Sequence, residues 1–473
     1  MDPSKTSAAY DIMAPRWTKI RRLLAGTEAM REEGETFLPK MSGEAQENYE
    51  ARKASTFLYP AFREAVNTTL AKPLSKPITL DEKAPQEIVA WANNVDLKGS
   101  TLDGFARRFM FEAASVGMAH ILVSYPAEGQ RQVTAAGNTA ADQMARRPHF
   151  ELVTAENLLA AYVELIDGVP TLSHIRVREQ TQTIDRTDFT ETTVERVRVY
   201  ERDSWQLWEK GTSGWSVVDQ GVLDPIGIPL VTLMWGDPEG DYQVRPYFLD
   251  LADKNIEHWQ TTSHEVNAGI QSCFAMLVCT GAGLDQVGDV VIGPKQLVAI
   301  PGEGVDLKYV EPSGTGIQWA VDKLKTIEEQ MHRIGLRPLM AGSSPGNITA
   351  TARTIDETQA NSEVQAFAIA TRDALARAFQ IAMGFSRKGS ENQPVGVRVN
   401  TDFLPLTMNE GGDLLLKARA TGDLSRQTFW EELRRRSTLS ESFNADEEKA
   451  RLAQERIETD DETDDDPADD MAA

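Results

Sequence analysis

The sequence predicts an α+β protein, and three stretches predict it. Ile317, Val321, Leu324, Ile327, Met331 and Ile334 recur at spacings of three and four, with Asp322, Lys323, Lys325, Glu328, Glu329 and Arg333 off the stripe. That is one apolar face of a helix. Thr171–Val177 and Thr193–Tyr200 alternate with a period of two, as half-buried strands do. From Thr349 to Met383 no breaker occurs, so one helix of roughly 50 Å is expected from a rise of ~1.5 Å per residue. Its Ile355, Val364, Phe367, Ile369, Leu375, Phe379 and Met383 are diluted with Ala, Thr, Gln and Arg. Such a rod is expected to need neighbours along its length rather than to bury itself in a compact monomer.

The chain of 473 residues is too long for one small core and should hold two to four packed units. No apolar run approaches the ~20 residues of a membrane span. Met1-Asp2-Pro3-Ser4-Lys5 lacks the layout of a signal peptide, so a cytosolic origin is expected. Two cysteines, Cys273 and Cys279, are too few for a disulfide framework and read as small apolar side chains at a helix end. The net charge is −23, and nine carboxylates with no base among them lie between Glu458 and Asp470, leaving −14 on the rest. An acidic body argues against tight binding of duplex nucleic acid, which needs a basic stripe to displace counterions. It does not argue against a surface past which DNA slides.

In order, residues 1–77 are helical. Trp17, Ile20, Leu23 and Leu24 form an amphipathic helix that Gly26 ends; Thr27–Arg31 reopens a short one; Ser42–Tyr59 and Arg63–Leu70 follow. A helix from Thr101 yields at Gly117 to a buried strand, His120–Tyr125. Residues 127–147 read as an exposed loop. Pro148 to Trp235 is an antiparallel meander, punctuated at Gly168, Gly211–Gly214 and Asp219–Gly221, with its aromatics on one core face. A helix over 246–277 carries Leu249, Ile256, Trp259, Val266, Ile270, Phe274 and Leu277. Residues 278–312 are β-like at Val290–Gly293, Leu297–Pro301 and Leu307–Val310. The helix over 313–337 ends at Arg337–Asn347, where two prolines and two glycines break it. After the helix over 349–385 come a linker, a strand at Val395–Val399, and a helical region over 386–456 in which Ser425 caps a helix bearing Phe429, Trp430 and Leu433. Residues 457–473 are expected to be disordered.

The chain lacks a phosphate-cradling Gly-x-x-x-x-Gly-Lys-Ser/Thr loop, a Gly-x-Ser-x-Gly elbow and paired Cys/His metal spacing. Gly281-Ala282-Gly283 begins like a dinucleotide turn without its third glycine, and His264-Glu265 lacks the second histidine of a zinc protease. His120 has no nucleophile or carboxylate near it in sequence, so it reads as a core histidine. No catalytic residue, metal or cofactor is expected.

Several strings, in their order, resemble the portal proteins of tailed bacteriophages, and within them a phage domain family with a Leu-x-x-Gly-Thr-x-x-Met-Arg opening. They are Leu23–Arg31, Phe37–Lys40, Tyr49–Arg52, Asp250–Ile256, Thr349–Ala352 and Gly422–Thr428. The likeness covers most of residues 15–455. It implies a portal fold: an N-terminal wing (1–245), two stem helices (246–277 and 313–337), a β clip (278–312), a tunnel loop (338–348), a long wing helix (349–385), a C-terminal wing and crown (386–456) and an acidic tail (457–473). It further implies a homo-oligomer, a dodecameric ring at the portal vertex of the virion, assembled in the host cytoplasm and away from any membrane. Double-stranded DNA would pass through it, and its partners would be the terminase large subunit, a head–tail adaptor, and the major capsid and scaffold proteins. Ser343, Ser344 and Asn347 become the lumen-facing loop residues. Lys323, Lys325, Lys295 and Lys308 become candidates for weak phosphate contacts, against the plainer reading of lysines paired with nearby carboxylates. Two other classes stay open: a minor head or scaffold protein without a channel, and an enzyme with an unrecognised site.

Overall fold

The structure is a computed structural model that describes residues 2–125, 147–184, 186–223, 227–272, 276–280, 297–300, 304, 306–310, 315–336, 350–385, 395–401, 403, 410–435, 439 and 443–462. The chain divides into two compact units, 1–403 and 404–473.

The first unit opens on a helical layer. Helix α1 (Ala8–Ala25) starts where the Ser7 hydroxyl accepts from the Tyr10 backbone N–H at 3.2 Å. It stops at Gly26, whose φ of 96° turns the chain at once into α2 (Thr27–Glu32). Helix α3 (Gln46–Ser55) is shorter than the expected 42–59. Thr56 is already extended, its carbonyl accepts from the Arg31 guanidinium at 2.9 Å, and Tyr59 precedes a proline, which disfavours helical backbone. Helix α4 (Ala61–Ala71), the two-residue β1 (Thr79–Leu80) and α5 (Gln86–Ala92) lead to α6 (Leu102–Val116). The Thr101 hydroxyl caps α6 by accepting from Gly104 N–H, and left-handed Gly117 closes it. A Cβ at Gly117 would sit 2.9 Å from the Val244 side chain, so the close approach there also requires glycine.

Strand β2 (Met118–Ser124) is buried throughout and lies between β3 (His149–Thr154) and β9 (Leu230–Met234), antiparallel to both. The meander expected from Pro148 to Trp235 is confined to β4 (Leu158–Ile166), β5 (Val169–Ile184), β6 (Glu191–Glu201), β7 (Ser204–Gly211) and β8 (Gly214–Val222), paired in that order; its expected ends, β3 and β9, pair with β2 instead. Ile175, Val177 and Tyr200 face a core shared with Leu122 and Val153. Strands β10 (Gly236–Gly240) and β11 (Gln243–Pro246) form a hairpin before the next helix.

That helix, α7 (Leu249–Ser272), ends short of the expected Leu277, because 276–280 is strand β12. Leu277 and Cys279 pair in a ladder instead of ending a helix. β12 lies parallel to β13 (Leu297–Ile300) and antiparallel to β14 (Asp306–Val310), in the order β13-β12-β14. The expected strand at Val290–Gly293 lies outside the described residues, as do Cys273, the turn-like string Gly281–Gly283 and all but Arg147 of the loop expected over 127–147. Helix α8 (Thr315–Met331) runs into a π-helical turn, His332–Leu336.

Helix α9 (Ala350–Phe385), at about 54 Å, has the expected length. From Val364 to Met383 the helix packs within its own chain, so over that half it does not need the neighbouring copies that its dilute stripe leads one to expect. Val364, Phe367, Ala368, Thr371, Ala374, Leu375, Ala378, Phe379, Ala382 and Met383 are all buried within this chain. Alanines at 368, 374, 378 and 382 let the backbone approach closely, so a stripe that reads as dilute packs tightly. Only two residues of the strand expected at 395–399 make a ladder: β15 (Val397–Arg398) pairs with β1.

The second unit holds α10 (Glu410–Ala420), α11 (Arg426–Arg435) and α12 (Ala445–Glu462). Ser425 caps α11 as expected, its hydroxyl accepting from Thr428 N–H at 3.1 Å. Helix α12 continues to Glu462, past the start of the tail expected to be disordered at 457; residues 463–473 lie outside the described ones.

Candidate functional site at the helix pair

Helices α7 and α8 are antiparallel neighbours. Leu251, near the start of α7, faces Gly335 beyond the end of α8, while Glu257 and His258 face Lys323 and Glu328. A Cβ at Gly335 would lie 2.6 Å from Leu251 Cδ2 and 3.3 Å from Ala65 Cβ, so α4, α7 and the π-turn meet there at glycine distance.

Polar side chains bolt α7 to the helical layer. Asn255 is fully buried; its Oδ1 accepts from Phe62 N–H at 3.1 Å and its Nδ2 donates to the Tyr59 carbonyl at 2.9 Å. Gln260 Nε2 donates to the Phe37 carbonyl at 3.1 Å. Arg52, 2% exposed, donates to Ser263 Oγ at 3.0 Å, to the Pro39 carbonyl at 3.0 Å, and to both oxygens of Glu44 at 2.8 Å. The Arg52 hydrogen bonds hold the Glu44 carboxyl below its usual range despite burial. The strings Phe37–Lys40, Tyr49–Arg52 and Asp250–Ile256, far apart in sequence, thus converge on the root of one helix. Nothing in the local pattern marked Arg52 as buried.

Along the pair, Lys323 Nζ lies 2.8 Å from Glu257 Oε1 and Lys254 Nζ 2.7 Å from Glu257 Oε2. These two ammonium groups hold the Glu257 carboxyl below its usual range. His258 Nε2 stands 3.4 Å from Glu328 Oε1; burial pushes the imidazole pKa down while Glu328 opposes it. Of the four lysines singled out as phosphate contacts, Lys323 is therefore engaged with a carboxylate, and Lys325 is exposed on α8. Lys308 lies on β14, and Lys295 lies outside the described residues. The loop 338–348, with Ser343, Ser344 and Asn347, also lies outside them. Among its described residues the helix pair brings together no catalytic constellation. Among the described residues no group of three or more His, Cys, Asp or Glu side chains is placed to hold a metal, and no helix is long and apolar enough to cross a membrane.

His120 belongs elsewhere. It is buried at the centre of β2, its Nδ1 hydrogen-bonded to Thr232 Oγ1 at 2.9 Å, and burial pushes its pKa down to about 3. This is a neutral core histidine.

A family model described as a domain of unknown function (DUF4055) matches residues 247–386, which run from the root of α7 through the small sheet and α8 to the end of α9. No curated protein matches the sequence. Among solved structures, a chain in the neck of an empty gene transfer agent (GTA) particle, computed with C6 symmetry, is similar at 11% identity and a TM-score of 0.44, over 78% of this chain and 88% of that one. A chain in the virion of a native gene transfer agent particle is similar at 12% identity and a TM-score of 0.43, over 84% of this chain and 96% of that one.

Proposed function

We propose that this chain is a portal-type subunit, a head–tail connector that forms a ring-shaped channel for viral DNA at one capsid vertex. The observation that carries the reading is the antiparallel pair α7–α8. It is held to the helical layer along the first two-thirds of α7 through Asn255, Gln260 and Ser263, and at Gly335, and it leads at its far end into the three-stranded sheet β12–β14. A stalk held at its base and tipped by a small sheet suits a stem and clip. The segment 338–348 and then α9 follow in the order a tunnel loop and wing helix require, and the sequence strings fall in the same order. In this reading the clip docks the terminase large subunit and later the head–tail adaptor. Ser343, Ser344 and Asn347 face the lumen, and the second unit contributes to the crown.

The mechanism is passive, without catalysis by this chain. ATP hydrolysis belongs to the terminase, and the ring supplies a channel, a docking surface and a gate. Net acidity favours sliding, since dense Lys/Arg–phosphate pairing would brake a moving duplex. Lys323, held by Glu257, adds little drag; exposed Lys325 is the better candidate for a transient phosphate contact.

The self-buried half of α9 favours a second reading, because a rod that packs within its own chain does not by itself require a ring. That reading is a minor head or scaffold protein that binds coat subunits without a channel. Mass measurement of the purified assembly, with negative-stain images, separates the two. A twelve-fold ring with a central hole supports the portal; a monomer or small oligomer at micromolar concentration overturns it.

A further inference from the structure

We draw no further inference here: the strongest candidate, the two-stranded arm where β5 and β6 run on past their neighbours to a tip bearing exposed Phe189, is an unpartnered surface, and nothing in the structure shows what covers it.

Discussion

Phe367, in the middle of the long helix, stacks on Trp235 with ring centroids 4.7 Å apart and planes 28° from parallel. Trp235 stacks in turn on Tyr247 at 4.5 Å and meets Phe248 edge-on at 5.5 Å, immediately before α7 begins. The long helix, the end of β9 and the root of the helix pair therefore share one aromatic joint. Phe367→Ala should cost about 3–5 kcal/mol through lost burial and the cavity left behind. Denaturant unfolding of the dissociated subunit measures it. A loss seen only in the assembled state would mean that neighbouring copies, not this core, hold α9.

Arg52 and Glu44 form a buried pair, with side chains 1% and 8% exposed. Glu44→Ala would leave a guanidinium out of water with Ser263, the Pro39 carbonyl and the face of the Tyr49 ring as its partners among the described residues. A loss of about 3–5 kcal/mol is expected, together with weaker protection of α7 amides in hydrogen exchange. Unchanged protection there would show that Arg52 does not anchor the helix pair.

Lys323 and Glu257 are each about a third exposed, so their pairing is screened by solvent. A double-mutant cycle with Lys323→Ala and Glu257→Ala should return a coupling of about 1 kcal/mol or less. Lys254 shares the carboxylate and cushions the single change. A coupling several times larger would mean that the two helices depend on this bridge rather than on the packing of Ile327 and Met331.

His120 gives a pH signature with a definite sign. Its folded pKa is about 3, against about 6.5 in an unfolded chain. Above pH 6.5 neither state holds the proton, and the group costs nothing. As pH falls from 6.5 toward 3, the unfolded chain takes up a proton that the folded one refuses, and stability drops by about 1.4 kcal/mol per pH unit. Between pH 7 and pH 5 the wild type should lose about 2 kcal/mol more than His120→Gln. Parallel losses in the two proteins would show that His120 is not held neutral.

Deleting 341–347 tests the functional reading at its least structural point. The deleted chain should assemble with the same number of subunits as the wild type while DNA packaging or retention falls. Loss of assembly would place that segment in a subunit contact instead of a channel lining.

Much of the architecture is legible in the periodicity of the sequence. The stops at Gly26 and Gly117, the helix start at Thr101, the cap at Ser425 and an antiparallel meander all follow from local rules, because caps, turns and alternation depend on residues close in sequence. The errors lie where distant partners decide. Leu277 reads as the last residue of an apolar helical stripe, yet it pairs with Leu297 and Tyr309 in a sheet. The end of α3 is set by Arg31 reaching Thr56. For the candidate site, the helix pair was legible, but its anchoring through Arg52, Asn255 and Gln260 was not, because a buried polar residue looks the same in sequence as an exposed one.

By itself the sequence determined where most of the helices, strands and breakers fall, the acidity of the chain, and the length of the rod that ends at Phe385. Only the tertiary structure decided what that rod leans on and how the helix pair is held at its base. Alanine spacing says that a close approach is allowed, not which surface makes it. The choice of Trp235, Phe150 and the β2–β9 face came from contacts more than a hundred residues away in the chain.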